Sequence, residues 1–187
     1  MIVNDFHKDL EWSHQQSDQP WWEVVYRRAF HNFSTMHDVR KDGWAQRGGI
    51  DRQVLLSDGT VLKIDEKVRR DDWPDFALEY YSDARRKTPG WMQKDLTCDF
   101  IAYAFEPSQR CFLLPYQQLR TAWVRNRKEW HKKYGSKLAD NPNGGYKTAF
   151  IPVPIDVVLS AIVGAMKVTW EAPAPTQLHS RDPDVPF

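Results

Sequence analysis

The sequence predicts an α+β (α/β) domain with a mixed central sheet and flanking helices, on three observations. A stripe of apolar residues at helical spacing opens the patterned part of the chain. Two strand-turn-strand patterns follow it, and a long basic amphipathic stretch then precedes one more strand and a last apolar run. A length of 187 residues fits one domain, and 41% apolar with 27% charged residues is ordinary for a globular chain.

The elements are taken in chain order. Residues 1–16 read as a loose, polar arm without the apolar core of a signal peptide. In "SDQPWWEVVYRRAFHNF", Ser17 or Asp18 is the expected N-cap and Pro20 sits in the first turn. Trp22, Val25, Tyr26, Ala29 and Phe33 make the apolar stripe, with Glu23 at its edge. "GGIDRQVLLSDGTVLKIDEKVRR" (48–70) reads as two strands around a tight turn, and "FALEYYSDA" as a third. "RRKTPGWMQKDL" is a basic loop with a Pro-Gly turn at 89–90, and "CDFIAYAF" and "CFLLP" flank a second hairpin turn. The strands are expected to run as an antiparallel meander. "YQQLRTAWVRNRKEWHKKY" (116–134) is an amphipathic helix, "GSKLADNPNGG" a loop, and "YKTAFIPV" a further strand. Pro154 is expected to start a final apolar helix reaching about Lys167. Residues 17–170 therefore form the expected domain, and 171–187 a disordered Pro-rich tail.

Several function classes are excluded by what the chain lacks. No His-x-x-x-His pair supports a zinc hydrolase, and Gly48-Gly49 is not followed by the Lys-Ser/Thr of a phosphate loop. The longest apolar run, "VVLSAIVGAM", is too short to span a bilayer. Cys98 and Cys111 lie in apolar stretches without metal spacing, so buried free thiols in a cytoplasmic protein are expected.

Charge is uneven along the chain. Between Arg85 and Lys137 twelve Lys/Arg face four acidic residues, an excess of about eight positive charges against a net charge of +1 for the whole. A basic face suits a polyanion. Arg85, Arg86, Lys87, Lys94, Arg120, Arg125 and Lys128 are the candidate phosphate contacts, and Trp91 the candidate base-stacking residue.

The first hairpin carries the chemistry, and its turn decides which charges meet. With Ser57-Asp58-Gly59 as a three-residue loop, Leu56 pairs with Thr60, and counting back sets Asp51 opposite Asp65. Lys67, two residues on, shares that face. A two-residue Asp58-Gly59 turn would instead set Asp51 against Glu66 and turn Lys67 away, because a one-residue slip inverts the strand. We adopt the three-residue loop. Facing carboxylates repel, and a divalent cation removes the objection: Mg²⁺ or Mn²⁺ takes one or two carboxylates and fills its shell with water and phosphate oxygens. Glu79, on the next strand, is a further candidate ligand.

"GID" at 49–51 and "IDEK" at 64–67 resemble the motif of the PD-(D/E)XK nuclease superfamily. The resemblance spans roughly residues 17–153 and is sharp only at the hairpin. It implies a restriction-endonuclease-like αβββαβ core with Asp51, Asp65 and Lys67 as catalytic residues. It also implies Mg²⁺ (or Mn²⁺) held by Asp51 and Asp65, with Glu23 of the preceding helix in the metal shell. The expected activity is an endo- or exonuclease acting on DNA in preference to RNA, with a homodimer as an expected assembly. The proline that often precedes the first aspartate in that family is Ile50 here. Members that kept the fold and lost activity define the alternative, an inactive nucleic-acid-binding or assembly protein.

Overall fold

The computed structural model describes residues 18–141 and 145–170, so the expected arm and tail lie outside it. Helix α1 (Trp21–Ala29) is followed by strand β1 (Phe33–Asp38), the short helix α2 (Gly43–Arg47), β2 (Arg52–Leu56) and β3 (Val61–Arg69). Next come β4 (Asp75–Asp83), β5 (Thr88–Pro89), β6 (Phe100–Phe105) and β7 (Arg110–Pro115). Helix α3 (Tyr116–Tyr134), β8 (Lys137–Asn141), β9 (Tyr146–Pro154), α4 (Ile155–Ser160) and β10 (Met166–Thr169) complete the order. The fold is α+β, as the pattern predicts, but with two sheets. Six strands lie in the order β1-β2-β3-β6-β7-β10, and four in the order β5-β4-β9-β8.

Side-chain alternation divides the interior in two. On β6, Ala102 and Ala104 join Val54, Ile64, Cys111 and Leu113 beneath Trp22, Val25 and Tyr26 of α1. Ile101, Tyr103 and Phe105 point the other way, to Phe76, Leu78, Ile151 and Val153 of the small sheet and to Leu119, Trp123 and Trp130 of α3. The large sheet thus has α1 on one face and the small sheet with α3 on the other. Both cysteines are buried and free, as expected.

Five expectations are corrected. The first helix ends at Ala29, because Phe30 is extended, and Phe33 begins β1, which covers the edge of β2. Pro20, not Asp18, occupies the helix N-cap, while Asp18 pairs with Arg40. The meander is broken: β6, not β4, pairs with β3, and in parallel. β6 is apolar on both faces and suits a centrally buried strand, whereas β4 alternates and suits a sheet with one open face. Lys137–Asn141 forms edge strand β8 against β9. The last helix stops at Ser160, and Met166–Thr169 pairs with β7, where Val168 fills the α1-side core. Among the described residues no helix is long and apolar enough to cross a membrane.

Candidate active site

The β2–β3 register is that of the three-residue loop. Arg52 pairs with Ile64 and Leu55 with Val61. Leu56 N–H donates to the Thr60 carbonyl at 2.9 Å, and Gly59 sits at φ +86°, the left-handed region that favours glycine. Asp51 N–H donates to the Ile64 carbonyl at 2.9 Å just beyond the last paired residue of β2, and the Asp51 carboxylate comes within hydrogen-bonding reach of that of Asp65. α2 and the Gly48-Gly49 turn deliver the chain to this point: Ile50 N–H bonds the Ala45 carbonyl, and Thr97 N–H bonds that of Gly48.

Asp51 Oδ2 accepts the Glu66 backbone N–H at 2.8 Å, so the carboxylate is aimed across the strands at its partner. Lys67 Nζ donates to Asp65 Oδ1 at 2.8 Å. Burial pushes the Asp65 carboxyl up to about 7; Lys67 opposes the rise, and the charge and hydrogen bond of Asp51 add to it. Burial works against the Lys67 ammonium, yet Asp65, Asp51 and Glu79 together hold it above the usual lysine value. Glu79 is raised by burial, with Lys67 and Lys94 opposing. Asp51, Asp65, Lys67 and Glu79 thus sense one another across β2, β3 and β4.

Lys67 and Glu79 line a cleft of about 320 Å³ with Arg69, Tyr103, Thr148 and Phe150. Tyr103 fixes its width, since its hydroxyl receives Arg69 Nη1 at 3.3 Å and the Ala77 N–H of β4 at 3.1 Å. Trp91 also lines the cleft, with the Lys67 ammonium 5.7 Å from its ring centroid.

Glu66 does not face Asp51, so the alternative register is excluded. Its side chain lies on the α1 face, where Arg52 Nε and Nη2 donate to its two oxygens at 3.0 and 3.2 Å and Tyr26 OH donates at 2.7 Å. Glu23 is not brought to the aspartates. It is exposed on α1, which covers the opposite face of the sheet, and pairs with Arg27 at 2.7 Å. Trp91 is only 7% exposed and belongs to the core, which corrects its reading as an exposed stacking residue. Ser82, near Glu79 in sequence, donates to the Pro89 carbonyl at 3.2 Å.

The basic candidates are spread over the surface. Arg85, Arg86 and Lys87 are exposed at the β4–β5 turn, whose Arg85 and Arg86 amides are held by Asp83 Oδ1. Lys94, Arg125 and Lys128 are exposed, while Arg120 is engaged by Asp95. Sequence reasoning missed Arg69, although strand alternation from Asp65 and Lys67 places it on their face.

Comparison of the chain with known proteins returns no matching family model, no matching curated protein and no matching solved structure. The site is therefore read from its own chemistry. Two carboxylates on adjacent strands fit a Mg²⁺ or Mn²⁺ ion that completes its shell with water and phosphate. Among the described residues no group of three or more His, Cys, Asp or Glu forms a closed metal cage. Asp51 and Asp65 are the available protein ligands for such an ion, and Glu79 faces Lys67 rather than completing a trio.

Proposed function

We infer that this chain is a Mg²⁺- or Mn²⁺-dependent nuclease of the PD-(D/E)XK kind, hydrolysing phosphodiester bonds of nucleic acid, DNA in preference to RNA. The observation that carries the reading is the hairpin register, with the Asp51 carboxylate within hydrogen-bonding reach of Asp65 and Lys67 bonded to Asp65. A helix, three antiparallel strands and a parallel β3–β6 pair support a restriction-endonuclease-like core. The order departs from αβββαβ in two respects: β4 and β5 occupy the β3–β6 crossover, and the long helix follows β7.

Asp51 and Asp65 would hold the cation, which when bound polarises the phosphodiester and lowers the pKa of a bound water. As a ligand Asp65 would be ionised, and its carboxyl would have to shed the proton that burial favours. Lys67 keeps its proton, so it acts as a fixed positive charge and water-orienting donor, and not as a base. Arg69 and Lys94 add positive charge around the cleft for the flanking phosphates.

The test is cleavage of plasmid and oligonucleotide DNA with Mg²⁺ or Mn²⁺. Asp51→Asn, Asp65→Asn and Lys67→Ala are each expected to lower the rate by about 100-fold or more. Wild-type rates for Asp65→Asn would remove the assignment. Lys67 Nζ already occupies Asp65 Oδ1 without a cation, and this favours the second reading, a binding or assembly protein that retains the fold. That protein would bind nucleic acid in a salt-sensitive way and never cleave it.

A further inference from the structure

A second cavity, of about 390 Å³, lies between α3 and the small sheet, within the range of about 300–1,000 Å³ typical of small-ligand sites. Its walls combine Tyr80, Gln93 and Trp123 with the cationic Arg127 and Lys128 and with His131. Tyr80 and Trp123 stack, with ring centroids 6.4 Å apart and planes 23° from parallel, and Tyr80 OH is held by Ser136 Oγ at 2.5 Å. Trp123, Arg127 and His131 recur every four residues of α3, and Lys128 adjoins them, so one helix face carries an aromatic base and a cationic rim. Arg127 and Lys128 are exposed and make no ion pair among the described residues. The fold does not consume these charges.

The cavity is coupled by chain connectivity to the cleft of Lys67 and Glu79. β4 sends Glu79 to the cleft and Tyr80 to the cavity, and the loop after β5 sends Trp91 to the cleft and Gln93 to the cavity. Tyr116 OH, at the start of α3, pins that loop by donating to the Trp91 and Lys94 carbonyls at 3.2 and 2.7 Å.

We propose that this cavity binds a nucleotide, its base against the Tyr80 edge of the aromatic wall and its phosphate between Arg127 and Lys128. Apolar contact with the edge of Tyr80, whose ring already lies against Trp123 and Tyr81, tolerates any base, and cations without carboxylate partners suit a phosphate without selecting sequence. The proposal rests on the nucleic-acid reading above for its preferred source, a strand of the substrate leaving the cleft across the 90–94 loop. A free nucleotide offers the same chemistry.

The experiment is anisotropy of a labelled single-stranded oligonucleotide with the full chain in EDTA, over a range of salt. Arg127→Ala/Lys128→Ala is compared with Lys132→Ala/Lys133→Ala, which removes the same charge from the same helix outside the cavity. The first pair is expected to weaken binding about tenfold more than the second and to lower the salt slope by about 0.7, the share of one phosphate contact on a single strand. Competition by adenosine monophosphate, lost in the same variant, would mark a site that also takes free nucleotides, and its absence a site for strands alone. Equal effects of the two pairs, or none, would overturn the proposal. Because binding is read without metal, a protein that binds through Arg127 and Lys128 but cleaves nothing once Mg²⁺ or Mn²⁺ is added sinks the nuclease reading and leaves the cavity assignment standing.

Discussion

Asp65 is the residue whose environment is most at odds with its chemistry, a buried carboxyl with one cation and one anion in contact. In the metal-free protein its proton is expected to persist to about pH 7, against 3.8 for an ordinary aspartate. A carboxyl raised in this way stabilises the folded state fully below about pH 4, and that contribution is lost as pH climbs to about 7. In EDTA the melting temperature of the wild type should therefore fall relative to Asp65→Asn across that interval; a constant difference would refute the burial argument. On the other face, Glu66→Ala would strand the Arg52 guanidinium beneath α1, where its side chain is 7% exposed. Breaking a buried pair from one side costs about 3–5 kcal/mol. Denaturant unfolding of Glu66→Ala should show a loss of that order, and a change under 1 kcal/mol would mean that Arg52 finds water or another partner.

At the scale of elements, the site depends on how closely β4 approaches the loop after β5. A Cβ on Gly90 would stand 2.7 Å from both the Glu79 carbonyl oxygen and its Cγ, so the two segments touch backbone to backbone. Gly90→Ala must push them apart, with an expected loss of about 1–3 kcal/mol and a looser setting of Glu79 and Trp91 against Lys67. Unchanged stability, measured by denaturant unfolding, would show that the contact yields freely. The hairpin half of the site was legible in the sequence, because a Ser-Asp-Gly turn and strict alternation determine the register between them. Helix α3 was legible for a similar reason, its 3.6-residue period running unbroken over Tyr116–Tyr134. Trp91 was misread because a basic, Pro-Gly-containing neighbourhood says nothing about burial, which is conferred by β4 and α3. Strand β8 and the early stop of α4 were hidden for the same cause: their state is decided by partner strands, β9 next in the chain and β7 far back in it. Glu23 failed on geometry alone, since helical position cannot tell which face of a sheet the helix will cover.

For the molecule as a whole, the choice of β6 over β4 as the neighbour of β3 changes how the chain must come together. β2 and β3 are joined by three residues, whereas the parallel partners Asp65 and Ile101 stand 36 positions apart. Local pairing closes quickly, and distant parallel pairing waits on a large loss of chain entropy. Val54→Ala in the hairpin is expected to slow refolding, while Ile101→Val on β6 should mainly hasten unfolding. The opposite partition in stopped-flow chevrons would place the parallel pair in the folding nucleus. The kinetic consequence reaches the site itself. Asp51 and Asp65 come face to face as soon as the hairpin zips, while both are still open to water. Only later does the crossover bring Glu79 and Trp91 over Lys67. The pair of acids is thus formed as a hydrated intermediate geometry first and desolvated second, so its electrostatic cost is met at the end of folding, when the surrounding core is already there to bear it.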